Sequence, residues 1–245
     1  FLRQRIDYYA QHKGNQKQGL NYFDTSRILT ELKKQPEFGW LKETNSQSLQ
    51  SSLRNLDHAY NNFFNKRGGF PKFKGKRAKQ AFSEPQAFDF DPESKRIRLP
   101  KLGEIKIVPH RSIEGIIKSV TVSKTPSDKY FVSLLCEVET KTPKPTNHNE
   151  IGIDLGLKSF AITSSGGRTD APKFFRKSEV TLAKLQRRLS RKKEGSNRRQ
   201  KAKLKVARCH EKIANQRKDF LHKLSRKLVD ENQAIYVEDL NVKGM

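Results

Sequence analysis

Cysteine is almost missing from this chain: Cys136 and Cys209 are the only two in 245 residues. They lie 73 positions apart with no CxxC pair, so neither a disulfide framework nor a zinc site can be written from them. A reducing cytosol is implied. No apolar run approaches the roughly 18 residues that span a bilayer, and no secretory-signal pattern stands at the start. The expectation is a cytoplasmic protein without a membrane partner. Hydrophobic residues make up only 33%, which is low for a length that allows one large or two modest domains. Acid is also scarce beside base: 26 Asp and Glu against 51 Lys and Arg leave a formal net charge of +25 and a pI near 10.1. Such a field recruits polyanions, and with membranes disfavoured the polyanion is nucleic acid.

The excess charge is focused. Lys177 to Val229 carries 19 Lys or Arg against Glu179, Glu194, Glu211 and Asp219, a net of +15. Lys66 to Lys79 adds seven more with no acid. A solvated helix face interleaves both signs. Here Arg187, Arg188, Arg191, Lys192, Lys193, Arg198, Arg199 and Lys201 meet one intervening acid, Glu194. Unbalanced repulsion of that kind is best tolerated when a phosphate backbone neutralises it.

Residues 1–65 read as helical. Leu2, Ile6 and Tyr9 share a face; Asp24 or Thr25 can cap a second helix bearing Ile28, Leu29 and Leu32; Leu49, Leu53, Leu56, Tyr60 and Phe63 form the stripe of a third. Pro36 and Gly39 separate the last two. A loop follows in which Phe70 and Phe73 alternate with Lys66, Arg67, Lys72, Lys74, Lys76 and Arg77. Its aromatics can plug a core or stack on bases. Residues 81–139 switch to period two, as in Tyr130, Val132, Leu134, Cys136 and Val138, with a turn at Thr125 to Asp128, and predict a small antiparallel sheet or barrel. Pro143 and Pro145 mark a linker. Beyond it the pattern gives strands over 151–155 and 160–164, a Gly166-Gly167 turn, a third strand at 173–175, a helix ended by Gly195, a second helix to about Val229, and a buried strand at 234–237.

Two apolar strands each deliver a carboxylate, Asp154 after Ile151-Gly152-Ile153 and Glu238 after Ile235-Tyr236-Val237. An acid leaving a core strand costs desolvation unless it is paired or bound to metal. Two such acids on neighbouring strands would suit Mg²⁺ or Mn²⁺, which take carboxylate oxygens, waters and phosphate. Paired ions can activate water and stabilise the leaving oxygen of a phosphodiester. Taken singly, Asp154 could cap a turn and Glu238 could simply end a strand. Cys209, His210 and His222 fit no common zinc spacing.

The run from Ile151 to Ala161 resembles the first RuvC motif of TnpB/OrfB-type transposon-encoded nucleases, and Tyr236 to Met245 resembles the second. Gly69-Phe70-Pro71-Lys72-Phe73-Lys74, Leu135-Cys136-Glu137-Val138 and Asp219 to Ser225 are also similar to motifs of that family. The resemblance implies an α+β architecture: a helical recognition lobe (1–66) inserted in a small antiparallel β-barrel or wedge domain (67–140), a linker (141–150), and an incomplete RNase H-like (RuvC) domain (151–245). It implies guide RNA and target double-stranded DNA as partners, a prokaryotic cytoplasmic setting, and Asp154 and Glu238 as the first two metal-binding catalytic acids. Tyr22 and Gln50 are candidates for reading a flanking motif, since Gln can pair two atoms of adenine; ordinary helix polarity is the plainer account of each.

The family's first barrel strand, its third catalytic Asp and its zinc ribbon have no counterpart in these residues. Both ends are therefore expected to be cut, structural Zn²⁺ is expected only in the further C-terminal part, and this stretch alone is not expected to cut efficiently. The alternative within the same family is a guide-directed DNA-binding protein or repressor without catalysis. A third reading, a ribosomal-type RNA binder, needs no carboxylates on apolar strands.

Overall fold

The computed structural model describes residues 1–14, 19–75, 78–139, 148–156 and 158–239. These fall into two compact units, Phe1–Thr125 with Lys129–Thr140, and Pro126–Asp128 with Lys141–Met245. The mixture of helices with small sheets is α+β.

The first unit opens with α1 (Leu2–Gln11), α2 (Tyr22–Leu32), a 3₁₀ turn at Pro36–Lys42 and α3 (Ser46–Phe64). The cap of α2 is Asn21 rather than Asp24 or Thr25. Asn21 Oδ1 accepts from Asp24 N at 3.1 Å while Asn21 N donates back to Asp24 Oδ2 at 2.9 Å. This reciprocal box satisfies two backbone donors at once, which a cap at Asp24 could not do. Leu29, Leu41 and Leu53 form the helical core, with Tyr22, Phe38 and Leu49 packed around it.

At the far end of α3, Tyr60 is buried against Arg5 and Phe70. The Arg5 guanidinium lies 4.2 Å from its ring centroid, Arg5 pairs with Asp57 at 3.0 Å, and Phe70 meets the ring edge-on at 5.7 Å. The Tyr60 hydroxyl is buried with no hydrogen-bond partner among the described residues. Burial raises its pKa, and the Arg5 charge pulls it part of the way back.

The strands of this unit make two antiparallel sheets. β1 (Gln80–Glu84), β5 (Ile116–Lys124) and β6 (Tyr130–Glu137) pair in the order β1-β5-β6; β2 (Asp89–Asp91), β3 (Arg96–Leu99) and β4 (Gly103–Lys106) form the other. Ile97, Leu99 and Val120 are buried between them, with Phe82, Phe90, Val122 and Val132 packed alongside. Among the described residues the strands remain two three-stranded sheets and do not close into a barrel. Gly115 (φ +81°) permits the chain to enter β5, since a Cβ there would lie 2.0 Å from the Glu137 carbonyl oxygen.

One polar group ties helix to sheet. Glu84, 2% exposed at the end of β1, accepts from Asn45 Nδ2 at 2.6 Å and from Ser48 Oγ in the first turn of α3. A carboxylate beside a helix N-terminus is further favoured by the peptide dipoles.

The second unit holds a four-stranded sheet in the order β10-β7-β8-β9, from β7 (Glu150–Asp154), β8 (Ser159–Thr163), β9 (Arg168–Asp170) and β10 (Ala234–Val237). β7, β8 and β9 are antiparallel neighbours, whereas β10 runs parallel to β7. The third strand lies at 168–170, not at 173–175. The turn bonds Thr163 N to Gly167 O (2.8 Å) and Gly166 N to Thr163 O (2.9 Å), so the chain pairs as soon as it has reversed. Phe174 instead opens α4 (Phe174–Ser190).

Helix α4 ends at Ser190, ahead of the expected Gly195, which sits in the turn with φ +76°. Helix α5 (Asn197–Glu231) follows. Leu182 and Ile213 are buried within this helical pair, and Phe220 fastens α5 to the rest of the unit, its ring 5.1 Å from Phe160 and 6.2 Å from Phe174. The expected burial of β10 is not observed: Tyr236 and Val237 are 60% and 64% exposed. As an edge strand, β10 has one sheet neighbour among the described residues.

Two substitutions test these contacts by urea unfolding. Glu84→Ala strands Asn45 and Ser48 and is expected to cost roughly 1–3 kcal/mol. Tyr60→Phe removes an unpartnered buried hydroxyl and is expected to stabilise by about 1 kcal/mol; a loss of stability there would show that the hydroxyl has a partner.

Candidate functional site

The geometry that matters is a register. Ala234 stands opposite Glu150, Ile235 opposite Ile151, Tyr236 opposite Gly152 and Val237 opposite Ile153. The ladder ends at Val237 and Ile153, and Glu238 and Asp154 are the next residues at the C-terminal ends of these adjacent parallel strands. Such strands lie about 4.8 Å apart, and level residues project to the same face. Both acids are exposed. At the opposite end of the pair, Tyr236 Oη donates to Glu150 Oε2 at 3.3 Å.

Two solvent-facing carboxylates on neighbouring strand ends are a donor set that fits a hard divalent cation with open positions for water and phosphate. No group of three or more His, Cys, Asp or Glu occurs among the described residues that could hold a metal. Cys209 and His222 belong to no such group either.

The cations divide by location. Lys66, Arg67, Lys72 and Lys74 are exposed in the loop after α3, whereas Lys76 and Arg77 lie outside the described residues. The loop aromatics split between the two readings offered for them. Phe70 packs edge-on against Phe63 at 5.3 Å yet stays 45% exposed, while Phe73 is 68% exposed. On the helical pair, Arg187, Arg188, Arg191, Lys192, Lys193, Arg198 and Lys201 all face solvent.

Arg199 differs from them. Its Nη1 donates to the carbonyls of Leu189 (3.3 Å) and Lys192 (2.9 Å), and its Nη2 donates to Glu194 (3.3 Å). It clasps the end of α4 to the start of α5 across a turn crowded with like charge. Ser196 completes the turn, accepting from Arg199 N at 3.2 Å and donating to Lys193 O at 2.7 Å.

Tyr22 packs on the Leu29, Leu41 and Leu53 core, with the Arg54 guanidinium 5.2 Å from its ring centroid. Gln50 is half-buried on α3. Packing accounts for Tyr22 without any contact to nucleic acid. Sequence reasoning counted Lys79 in the basic stretch and Tyr130 in a strand but gave neither Lys124 nor Tyr130 a binding role; the strand register sets Lys124 opposite Tyr130 at one end of the first sheet, beside Lys79.

Residues 133–245 match a family described as a probable transposase. Over 239 residues the chain is 39% identical to "Putative RNA-guided DNA endonuclease InsQ" of Escherichia coli (strain K12), covering 96% of this chain and 59% of that protein. Over 229 residues it is 42% identical to "Putative RNA-guided DNA endonuclease" of Streptomyces pristinaespiralis, covering 92% and 57% respectively. The resemblance to TnpB/OrfB-type proteins holds. It runs along nearly the whole chain, although the chain spans under three fifths of the length of these relatives. No helix among the described residues is long and apolar enough to cross a membrane.

The matched stretch of this TnpB/OrfB-like chain includes Asp154, the helical pair and Glu238. Its mechanical integrity should depend on Arg199 more than on the exposed cations around it. Arg199→Ala is expected to lower stability by about 1 kcal/mol and to speed amide exchange over 190–196, whereas Arg198→Ala should change stability by less than about 0.5 kcal/mol. Equal effects of the two substitutions would remove the clasp role.

Proposed function

We propose that this chain is part of an RNA-guided DNA endonuclease associated with transposition, in which Asp154 and Glu238 supply two carboxylates of a divalent-metal site. The observation that carries the reading is the in-register parallel pairing of β7 with β10. The names of the two relatives support it. In this reading, residues 1–66 are a recognition lobe, 67–140 a wedge domain, 141–150 a linker and 151–245 a RuvC-like nuclease domain.

The residues present would bind and orient rather than transfer protons. The acids on the ends of β7 and β10 would fix a Mg²⁺ or Mn²⁺ beside the scissile phosphate. A bound ion of this kind lowers the pKa of a ligated water and offsets charge on the leaving oxygen. The exposed cations of the loop after α3 and of α4 and α5 would hold the phosphate backbones of guide RNA and target DNA. Base pairing would then read the target while the protein reads backbone shape.

A second reading is guide-directed DNA binding without cleavage. The two separate in one experiment. Full-length protein with its guide is assayed for Mg²⁺-dependent cleavage and for target binding. Asp154→Ala and Glu238→Ala should each slow cleavage by roughly a hundredfold or more while leaving target affinity within about threefold. Wild-type protein that binds and never cuts selects the second reading. Undiminished cutting by both variants would eliminate the two-acid site.

A further inference from the structure

The inward side of the first sheet does not close at its end. Phe82 stands opposite Val122, and Val122 opposite Val132; two residues further out, Gln80 stands opposite Lys124 and Lys124 opposite Tyr130. Because side chains alternate with a period of two, both rows lie on the same face. The inner row packs on Ile97, Leu99 and Val120. The outer row runs past that core, and Tyr130 is 66% exposed.

A cleft of about 560 Å³ opens there, with Phe82 and Val122 in its wall and Lys74, Lys79, Lys124 and Tyr130 among its other lining residues. Among the described residues no carboxylate lines it. Lys124 Nζ lies 5.1 Å from the centroid of the Tyr130 ring, so a cation orients the ring from one side. An exposed aromatic surface beside several ammonium groups is the combination that holds a nucleotide, with the base on the ring and the phosphates on the cations. The volume lies within the ordinary range of small-ligand sites. A duplex could not use the ring, because its base faces are hidden in the stack; an unpaired base could.

We propose that this cleft is a subsite for one unpaired nucleotide of a single strand, with its base stacked on Tyr130 and its flanking phosphates between Lys74, Lys79 and Lys124. This rests on the nucleic-acid-binding reading above and adds a place and a mode to it. The strand is either a single-stranded stretch of the guide RNA or the displaced strand of the target DNA; the chemistry of recognition is shared.

The test measures affinity of the purified chain for a labelled oligouridylate, a labelled oligothymidylate and a labelled duplex DNA. Tyr130→Ala is expected to weaken single-strand binding by about tenfold, with Tyr130→Phe and Tyr130→Trp near wild type. Duplex binding should stay within about twofold. Lys79→Ala and Lys124→Ala should weaken single-strand binding less and flatten its salt dependence by about one phosphate contact each. A loss confined to RNA assigns the guide, and a loss confined to DNA assigns the displaced strand. Tyr130 is exposed, so its melting midpoint serves as the folding control, and the two lysine variants carry the test should the alanine variant melt early. Wild-type single-strand affinity in Tyr130→Ala, or an equal loss on duplex, overturns the subsite while leaving the broader reading intact. Failure of the wild-type chain to bind any of the three probes overturns both.

Discussion

The second unit depends on one long-range pairing, the parallel ladder between β7 and β10. Parallel neighbours cannot be joined by a tight turn and need a crossover of a dozen or more residues. Here the chain between them contains β8, β9 and the two helices α4 and α5. The crossover is also the most basic stretch of the molecule. Topology therefore links the ladder that precedes the two acids with the main cationic surface: the segment that lets β10 pair with β7 also carries the charge suited to a polyanion.

That arrangement carries an electrostatic penalty. The stretch Lys177 to Val229, with a net charge of +15, repels itself, and screening across roughly 10 Å of salt solution relieves the repulsion only in part. Apolar packing opposes it through Leu182 and Ile213 and through the Phe160, Phe174 and Phe220 rings. At the turn, Arg199 turns a cation into a clasp by donating to two carbonyls and Glu194. The remaining cations face water and stay available to an anion. In the first unit, buried Glu84 performs a comparable fastening between helix and sheet.

Much of the fold was legible because periodicity reports which face of an element is buried. The α3 stripe, the alternation of Tyr130 to Val138 and the Gly166-Gly167 turn all rest on local sequence. The misplacements have local causes as well. Asn21 displaced Asp24 as the cap because a capping box is reciprocal. The third strand fell at 168–170 because a tight turn pairs at once. The apolar run of β10 suggested burial, yet among the described residues β10 has one sheet neighbour and Tyr236 and Val237 lie exposed.

The sequence by itself determined the charge and its focus, the helix-then-strand order, and the two carboxylates leaving apolar segments, since each is a property of composition or of short-range pattern. Only the tertiary structure decided which residues meet across long separations. Register paired Val237 with Ile153, the residues just before the two acids, and aligned Gln80, Lys124 and Tyr130 in one row. Packing set Tyr22 against the helical core, placed Phe70 against Phe63 while leaving it partly exposed, and left Phe73 on the surface. The physical reason is that backbone pairing and side-chain burial act through space, so residues far apart in the chain acquire a shared role only once the ladder between them has closed.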